Sequence, residues 1–373
     1  MTARRIPLFD VQAQYVRHRA DIDARLQSVL DHGGFILGPE VGELETALAR
    51  KAGIDHAVTV GNGTDALLIA LIEAGIGPGD AVFLPAFTFV ATAGAVISAG
   101  ARPVFCDVDR ETFNLDPADL ARRIEEFSGD ARPRAVMAVD LFGQPAEYGR
   151  LKEIAAEHGM EVLSDAAQSF GAALEGAPVG SLAPVTATSF YPTKPLGAFG
   201  DGGALFTQDA DRAARMRAIR AHGNDEMHGM NSRLDTMQAS VLLAKLASFD
   251  ADRSRRAEIA GHYDAQLSDY VALQKSRKGL TNAHAVYAVL SDRRDALRSM
   301  LSDKGIDSRA YYATPLHLTP PMRPYSEGRG SLPNTEWLSR RILALPIYAE
   351  LSDHDVERVG REVRSCLQQR VAS

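Results

Sequence analysis

Between residues 57 and 207 the chain alternates strand-like runs with helical stretches, and this alternation limits the fold more than any other feature. Runs at 57–60, 81–84, 102–107, 135–141, 161–164, 185–190 and 203–207 read as strands. Helical patterns over 66–74, 91–99, 120–127 and 148–158 lie between them, and two more, over 12–30 and 38–52, come first. Such repetition builds a largely parallel sheet covered on both faces, with ligands bound beyond the C-terminal ends of its strands. After Thr207 the character changes. Helices at 210–221, 234–246 and 251–267 lead to a strand at 283–290 and a helix at 294–304. A proline- and glycine-rich surface loop is expected over 319–333, then helices near 334–343 and 353–369. The boundary falls near 245–255, giving a large domain over 1–250 and a smaller C-terminal α+β domain over 251–373.

A length of 373 residues, 45% hydrophobic and 24% charged, is that of a globular enzyme with a sizeable core. The net charge of −7 argues against nucleic acid and anionic membranes as partners. No run reaches the roughly 18 apolar residues of a membrane span, and no apolar core follows Arg4-Arg5 to make a signal peptide. Cys106 and Cys366 stand far apart, offering neither metal spacing nor a disulfide framework, which fits a reducing cytoplasm. The histidines show no ligand spacing either, so no metal is expected.

The stretch Ser189-Phe190-Tyr191-Pro192-Thr193-Lys194-Pro195-Leu196-Gly197-Ala198-Phe199-Gly200-Asp201-Gly202-Gly203 sets a lysine in a glycine-rich turn between two strands. A lysine so placed neither packs a core nor lies on a solvated face. The four glycines let the backbone take positive φ and come close to another group. Schiff-base formation is one chemistry that uses such a lysine, since desolvation lowers the amine pKa and frees the lone pair. A structural or phosphate-binding lysine is the alternative. Upstream, Gly61-Asn62-Gly63-Thr64-Asp65 joins a strand to a helix, which aims N–H groups and a helix dipole at a phosphate. It is neither a P-loop nor a dinucleotide fingerprint, and an ordinary strand-to-helix turn stays open. Gly63, Phe89, Asp165 and the lysine turn all lie at strand ends, so they can converge.

The ordered set Gly61-Asn62-Gly63-Thr64-Asp65, Pro85-Ala86-Phe87-Thr88-Phe89-Val90-Ala91-Thr92, Asp165-Ala166-Ala167-Gln168-Ser169, Ser189 to Lys194 and Asn231-Ser232-Arg233-Leu234-Asp235 closely resembles the DegT family of sugar-nucleotide aminotransferases. The likeness runs from Pro7-Leu8-Phe9-Asp10 to Leu345-Pro346-Ile347-Tyr348. It implies an aspartate-aminotransferase-like fold (type I among pyridoxal-phosphate enzymes), with a mostly parallel seven-stranded sheet, and pyridoxal 5′-phosphate as cofactor. By the same resemblance Lys194 is the Schiff-base lysine and proton carrier, and Asp165 partners the pyridine nitrogen. Gln168 lies by the ring and its 3-hydroxyl, Phe89 stacks on the ring, and Gly63, Thr64 and Ser189 hold the phosphate. Asn231 and Arg233 match a loop that enters the neighbouring subunit's site, implying a homodimer with shared active sites.

Tyr311, Tyr312 and His317 match the substrate-side segment, with Tyr311 where histidine is frequent. Other departures are Ser164 for an acidic residue, Pro195 for asparagine and Asp140 for histidine. The implied activity is amino transfer, from a donor expected to be glutamate, to a nucleotide-linked keto-sugar. Lys-Pro-Leu-Gly followed by Gly-Asp-Gly-Gly is similar to the subgroup aminating 3-keto sugars. A 4-keto substrate, a dehydratase (disfavoured, since those replace the lysine with histidine) and a non-catalytic binder on the same scaffold are the alternatives.

Overall fold

A computed structural model describes residues 4–225 and 227–368. Seven strands, His56–Val60 (β1), Asp80–Pro85 (β2), Arg102–Cys106 (β3), Arg132–Val139 (β4), Glu161–Asp165 (β5), Val185–Ser189 (β6) and Gly203–Thr207 (β7), make one sheet in the order β1-β7-β6-β5-β4-β2-β3. Only β7 runs against its neighbours; the other pairings are parallel, as the alternation predicts. The helices of this region are Val11–His32 (α1), Pro39–Ala52 (α2), Gly63–Glu73 (α3), Val90–Ser98 (α4), Pro117–Glu125 (α5), Tyr148–Glu157 (α6), Ala210–Ile219 (α7) and Thr236–Leu246 (α8).

Successive side chains of a strand point to opposite faces, and both faces here are covered. Val82, Leu84, Met137 and Leu163 pack with Leu67, Leu71, Val96 and Met216 of α3, α4 and α7. Phe83, Val136, Ala138 and Val162 pack on the other side with Leu120, Leu151 and Ile154 of α5 and α6. Every residue of β2 is therefore buried.

Helices Phe249–Leu267 (α9), Arg294–Asp303 (α10), Pro333–Arg341 (α11) and Asp353–Gln368 (α12) accompany a three-stranded sheet of Ala272–Leu273, Tyr287–Leu290 and Ile342–Leu345. A second core forms around Ile259, Tyr263, Val289, Leu301, Leu343 and Val359, and Ile6 belongs to it. Leu316, Met322 and Leu332, by contrast, pack into the core of the seven-stranded sheet. A cut at residue 250 thus leaves apolar contacts crossing it in both directions.

Several expectations change. Ile342–Leu345 is a strand and not a helix end, paired antiparallel with Tyr287–Leu290, because Ile342 already has extended backbone angles. The strand expected from 283 begins only at Tyr287, and His284 holds φ +46. The 319–333 stretch is more than a surface loop: it contains a 3-10 turn, Pro320–Tyr325, and buries Met322 and Leu332. A small sheet of Ala173–Leu174, Ala177–Pro178 and Leu280–Thr281 was not expected, since two-residue strands leave no periodic signal.

Candidate active site

The C-terminal ends of β1, β2, β5 and β6 carry the residues singled out above. β5 delivers Asp165, held in register by pairing with Val139 of β4 and Ala187 of β6. Asp165 is only 6% exposed. Its Oδ2 accepts a 2.8 Å hydrogen bond from the Thr92 hydroxyl on α4, and its Oδ1 accepts one of 3.2 Å from the Ala167 N–H. Burial pushes the carboxyl upward from its ordinary pKa, while these hydrogen bonds and the charge of Lys194 pull the other way.

The lysine turn is closed by hydrogen bonds from the Lys194 N–H to the Tyr191 carbonyl, 2.8 Å, and from the Ala198 N–H to the Phe190 carbonyl, 2.7 Å. No glycine of the turn adopts positive φ, contrary to expectation. They are needed for close approach instead. A Cβ on Gly197 would lie 2.5 Å from the Pro192 carbonyl oxygen, and one on Gly203 would lie 2.6 Å from that of Asn62. Burial lowers the Lys194 pKa, and the charge of Asp165 partly restores it. A desolvated amine of this kind holds a larger share of its neutral, nucleophilic form. Lys245, by contrast, is buried with its amine committed to Gln14 Oε1, 2.7 Å, and to the Gly197 carbonyl, which anchors the turn.

Gly63 and Ser189 meet across the sheet end: a Cβ on Gly63 would lie 2.6 Å from Ser189 Cβ. Gly63 opens α3, Asn62 caps it by accepting the Asp65 N–H at 2.8 Å, and Thr64 is exposed beside them. First-turn N–H groups have no acceptor within a helix, so this corner presents donors and the positive end of a dipole.

Gln168 accepts the Phe142 N–H at 3.0 Å through Oε1, and its Nε2 lies 3.4 Å from the Tyr312 hydroxyl. The Tyr312 ring also lies near Phe87, at 6.0 Å, and near Phe89, at 6.4 Å. Phe89 itself is 54% exposed. The structure therefore brings together Asp165, Gln168, Phe89 and Tyr312, and electrostatically joins Lys194 to them. Tyr311 stands beside Tyr312, at 5.8 Å, with the Arg309 guanidinium over its ring.

Asn231 is exposed, and Ser232 next to it ties the segment to the Gly63 corner: its hydroxyl donates to Asp65 Oδ2 at 2.6 Å and accepts the Gly61 N–H at 3.0 Å. Arg233 is partly buried, and its Nε has no hydrogen-bond partner among the described residues. His317 lies deeper than Tyr311 and Tyr312. It is 1% exposed, with its Nε2 3.3 Å from Glu336 Oε1.

Thr92 was missed although it sits three residues after Phe89, on the first turn of a helix leaving a strand end. Asp140, Tyr148 and Ser169 were missed as a network, although Asp140, like Asp165, is an acid at the C-terminal end of a strand.

These residues fit pyridoxal phosphate on their own geometry. A group with a phosphate, a ring nitrogen and an aldehyde would need the glycine-serine cradle, a buried acid and a desolvated amine, and all three lie at adjoining strand ends. That combination is the one a pyridoxal-phosphate enzyme requires. The chain belongs to the DegT/DnrJ/EryC1/StrS aminotransferase family, whose sequence profile matches residues 16–364. It is 38% identical over 358 residues to the UDP-2-acetamido-2-deoxy-3-oxo-D-glucuronate aminotransferase of Pseudomonas aeruginosa, covering 94% of this chain and 98% of that one. It is 40% identical over 367 residues to the dTDP-3-amino-3,4,6-trideoxy-alpha-D-glucose transaminase of Streptomyces venezuelae, covering 96% of each. The crystal structure of S. venezuelae DesV in complex with a ketimine intermediate superposes with a TM-score of 0.95 at 38% identity, covering 99% of this chain and 100% of that one. The protein is an aminotransferase, and pyridoxal phosphate is its cofactor.

Proposed function

We propose that this enzyme moves an amino group from an amino acid donor, glutamate in the first instance, to the 3-keto carbon of a nucleotide-linked sugar. The reaction would serve amino-sugar biosynthesis for a surface polysaccharide or a glycoside. The observation that carries the chemistry is the desolvated Lys194 beside the buried Asp165. Support for position 3 comes from the two relatives named above, both of which carry 3-oxo or 3-amino in their names.

When bound, pyridoxal phosphate supplies an electron sink and a temporary carrier of the nitrogen. The chain's own residues do the rest. The Lys194 amine takes the proton from the donor's α-carbon and later returns one to the sugar carbon. The Asp165 carboxylate holds a proton on the ring nitrogen, and its low-dielectric surroundings make that charge pair effective. Gln168, gripped by the Phe142 N–H, fixes the ring edge. Gly63, Thr64 and Ser189 bind the phosphate, and Phe89 covers the ring and excludes water. Tyr311 and Tyr312 line the sugar's approach. Arg233, with a buried Nε lacking an acceptor, supplies positive charge for the nucleotide or donor carboxylate.

The working unit in this reading is a homodimer, with Asn231 and Arg233 reaching the partner's site. Its support is an apolar surface: Phe35, Ile36 and Leu37 are 49%, 51% and 44% exposed and pair with the 231–236 segment through the Ile36–Asp235 bridge. Contiguous exposed apolar residues of this kind mark interfaces. The two free buried cysteines suit a cytoplasmic enzyme, which consists of a large cofactor-binding unit and a smaller C-terminal one.

The test loads the enzyme with pyridoxamine phosphate and mixes it with 3-keto and 4-keto nucleotide sugars, following return of the cofactor's visible band. Faster return with the 3-keto sugar is expected, and preference for a 4-keto sugar would overturn the assignment.

A further inference from the structure

Asp140 is the fully buried acid at the end of β4, at 0% exposure, and it has no place in the chemistry above. Its Oδ1 accepts hydrogen bonds from the Ala146 N–H, 2.9 Å, and the Tyr148 hydroxyl, 2.8 Å, while its Oδ2 accepts one from the Ser169 hydroxyl, 2.7 Å. The Tyr148 oxygen is also 2.5 Å from Ser164 Oγ, and the Asp140 N–H donates to the Asp165 carbonyl at 3.1 Å. Ser164 immediately precedes Asp165, and Ser169 immediately follows Gln168. The Asp140 carboxylate thus holds Ser169 directly and Ser164 through Tyr148, at the two ends of the 164–169 stretch that carries the acid and the amide.

We propose that Asp140 is a positioning residue for the transfer reaction, pinning both ends of the Asp165–Gln168 segment and setting a second buried acid behind Asp165. This rests on the assignment of Asp165 to the cofactor's ring nitrogen. A helix cap or an ordinary strand end needs no such clamp, since backbone pairing already fixes β5. A buried carboxylate is costly unless fully hydrogen-bonded, and three donors are spent here on one side chain. The titratable groups facing it are Asp165 and Tyr148. Burial pushes the Asp140 carboxyl up to about 7, and Asp165 adds to that rise, so the two acids are coupled. A negative charge on Asp140 makes Asp165 a better partner for a protonated ring and favours positive charge on the bound cofactor.

The test uses the full chain stripped of cofactor and titrated with pyridoxal phosphate, in wild type, Asp140→Asn, Ser169→Ala and Tyr148→Phe. Asp140→Asn should bind the cofactor on the order of tenfold more weakly, the scale on which hydrogen-bonded outer partners of a ligating group contribute. The pH midpoint of the bound cofactor's visible band should move lower, and KM for the sugar should change less than kcat. Ser169→Ala and Tyr148→Phe should move affinity and midpoint in the same directions by less. Wild-type affinity with an unshifted midpoint in Asp140→Asn overturns the proposal. Should Asp140→Asn fail to fold, unchanged affinity and midpoint in both other variants overturn it. If the wild type itself gives no visible band, the assignment of the site fails, and this inference falls with it.

Discussion

Thr92 donates a 2.8 Å hydrogen bond to the Asp165 carboxylate from the first turn of a helix that starts 75 residues earlier in the chain. The bond fixes one oxygen of Asp165 and is itself backed by Thr88, whose hydroxyl lies 3.0 Å from that of Thr92. In the proposed reading Asp165→Asn removes the charge that would hold the ring proton, so turnover should fall by on the order of 10²-fold or more, while the proposed phosphate cradle should keep the cofactor bound. Thr92→Val should cost less, about tenfold, the weight of one hydrogen bond to a charged group. Steady-state rates of both variants check this, and full activity in Asp165→Asn would make the carboxylate structural.

Gly63→Ala places a methyl group 2.6 Å from Ser189 Cβ, where nothing flexible can yield. Overpacking of this kind costs about 1–3 kcal/mol, and here it also displaces the corner proposed to hold the phosphate. Thermal melting and cofactor titration should both show the loss. Adding Ser189→Gly should recover melting temperature but not cofactor affinity, because the serine hydroxyl is then absent.

How much of this was legible beforehand follows from range. The strand ends were readable because apolar runs and turn residues are local, and so Lys194, Asp165 and Gly63 could be placed at one edge of a sheet. The meeting of Gly63 and Ser189 came only from the family resemblance, since nothing in either segment by itself reports the other's position 126 residues away. The helix expected over 334–343 takes in Ile342 and Leu343 because apolar residues after a helix carry no period of their own; only pairing with Tyr287–Leu290 makes Ile342–Leu345 a strand. The burial of His317 against Glu336 was likewise out of reach, since the two residues come together only in the folded chain. Lys245 carries no local sign of its burial, which comes from Gln14 of α1 and the Gly197 carbonyl of the lysine turn.

The apoenzyme should show Asp140 in its pH-stability profile. Its folded carboxyl is pushed up to about 7 from 3.8, so the stability it contributes is fully present below the unfolded pKa and is lost as pH rises through about 7. Asn at this position does not titrate. The melting temperature of wild-type apoenzyme minus that of Asp140→Asn should therefore decline between about pH 4 and 7. A difference that stays flat or rises would contradict the burial assigned to this group.

Asn231→Ala and Lys194→Ala should complement one another if sites are shared. In a mixed dimer one site carries both lesions and the other carries neither, so each mixed dimer regains about half the wild-type activity. Random reassortment makes about half of all dimers mixed, and the pool should regain roughly a quarter. Absence of recovery despite proven subunit exchange would place Asn231 in its own chain's site or in none.

The central claim is that Lys194 is the residue that binds the cofactor covalently. Burial lowers its pKa, so the folded chain carries a cost for the charged amine below the unfolded value, and the Lys194→Ala apoenzyme should melt no lower than wild type at neutral pH. The direct measurement is borohydride reduction of the enzyme with pyridoxal phosphate, followed by peptide mapping. The account predicts label on Lys194 alone in wild type, and neither label nor turnover in Lys194→Ala. Label on Lys245 or another lysine, or near-normal turnover in the variant, would contradict it.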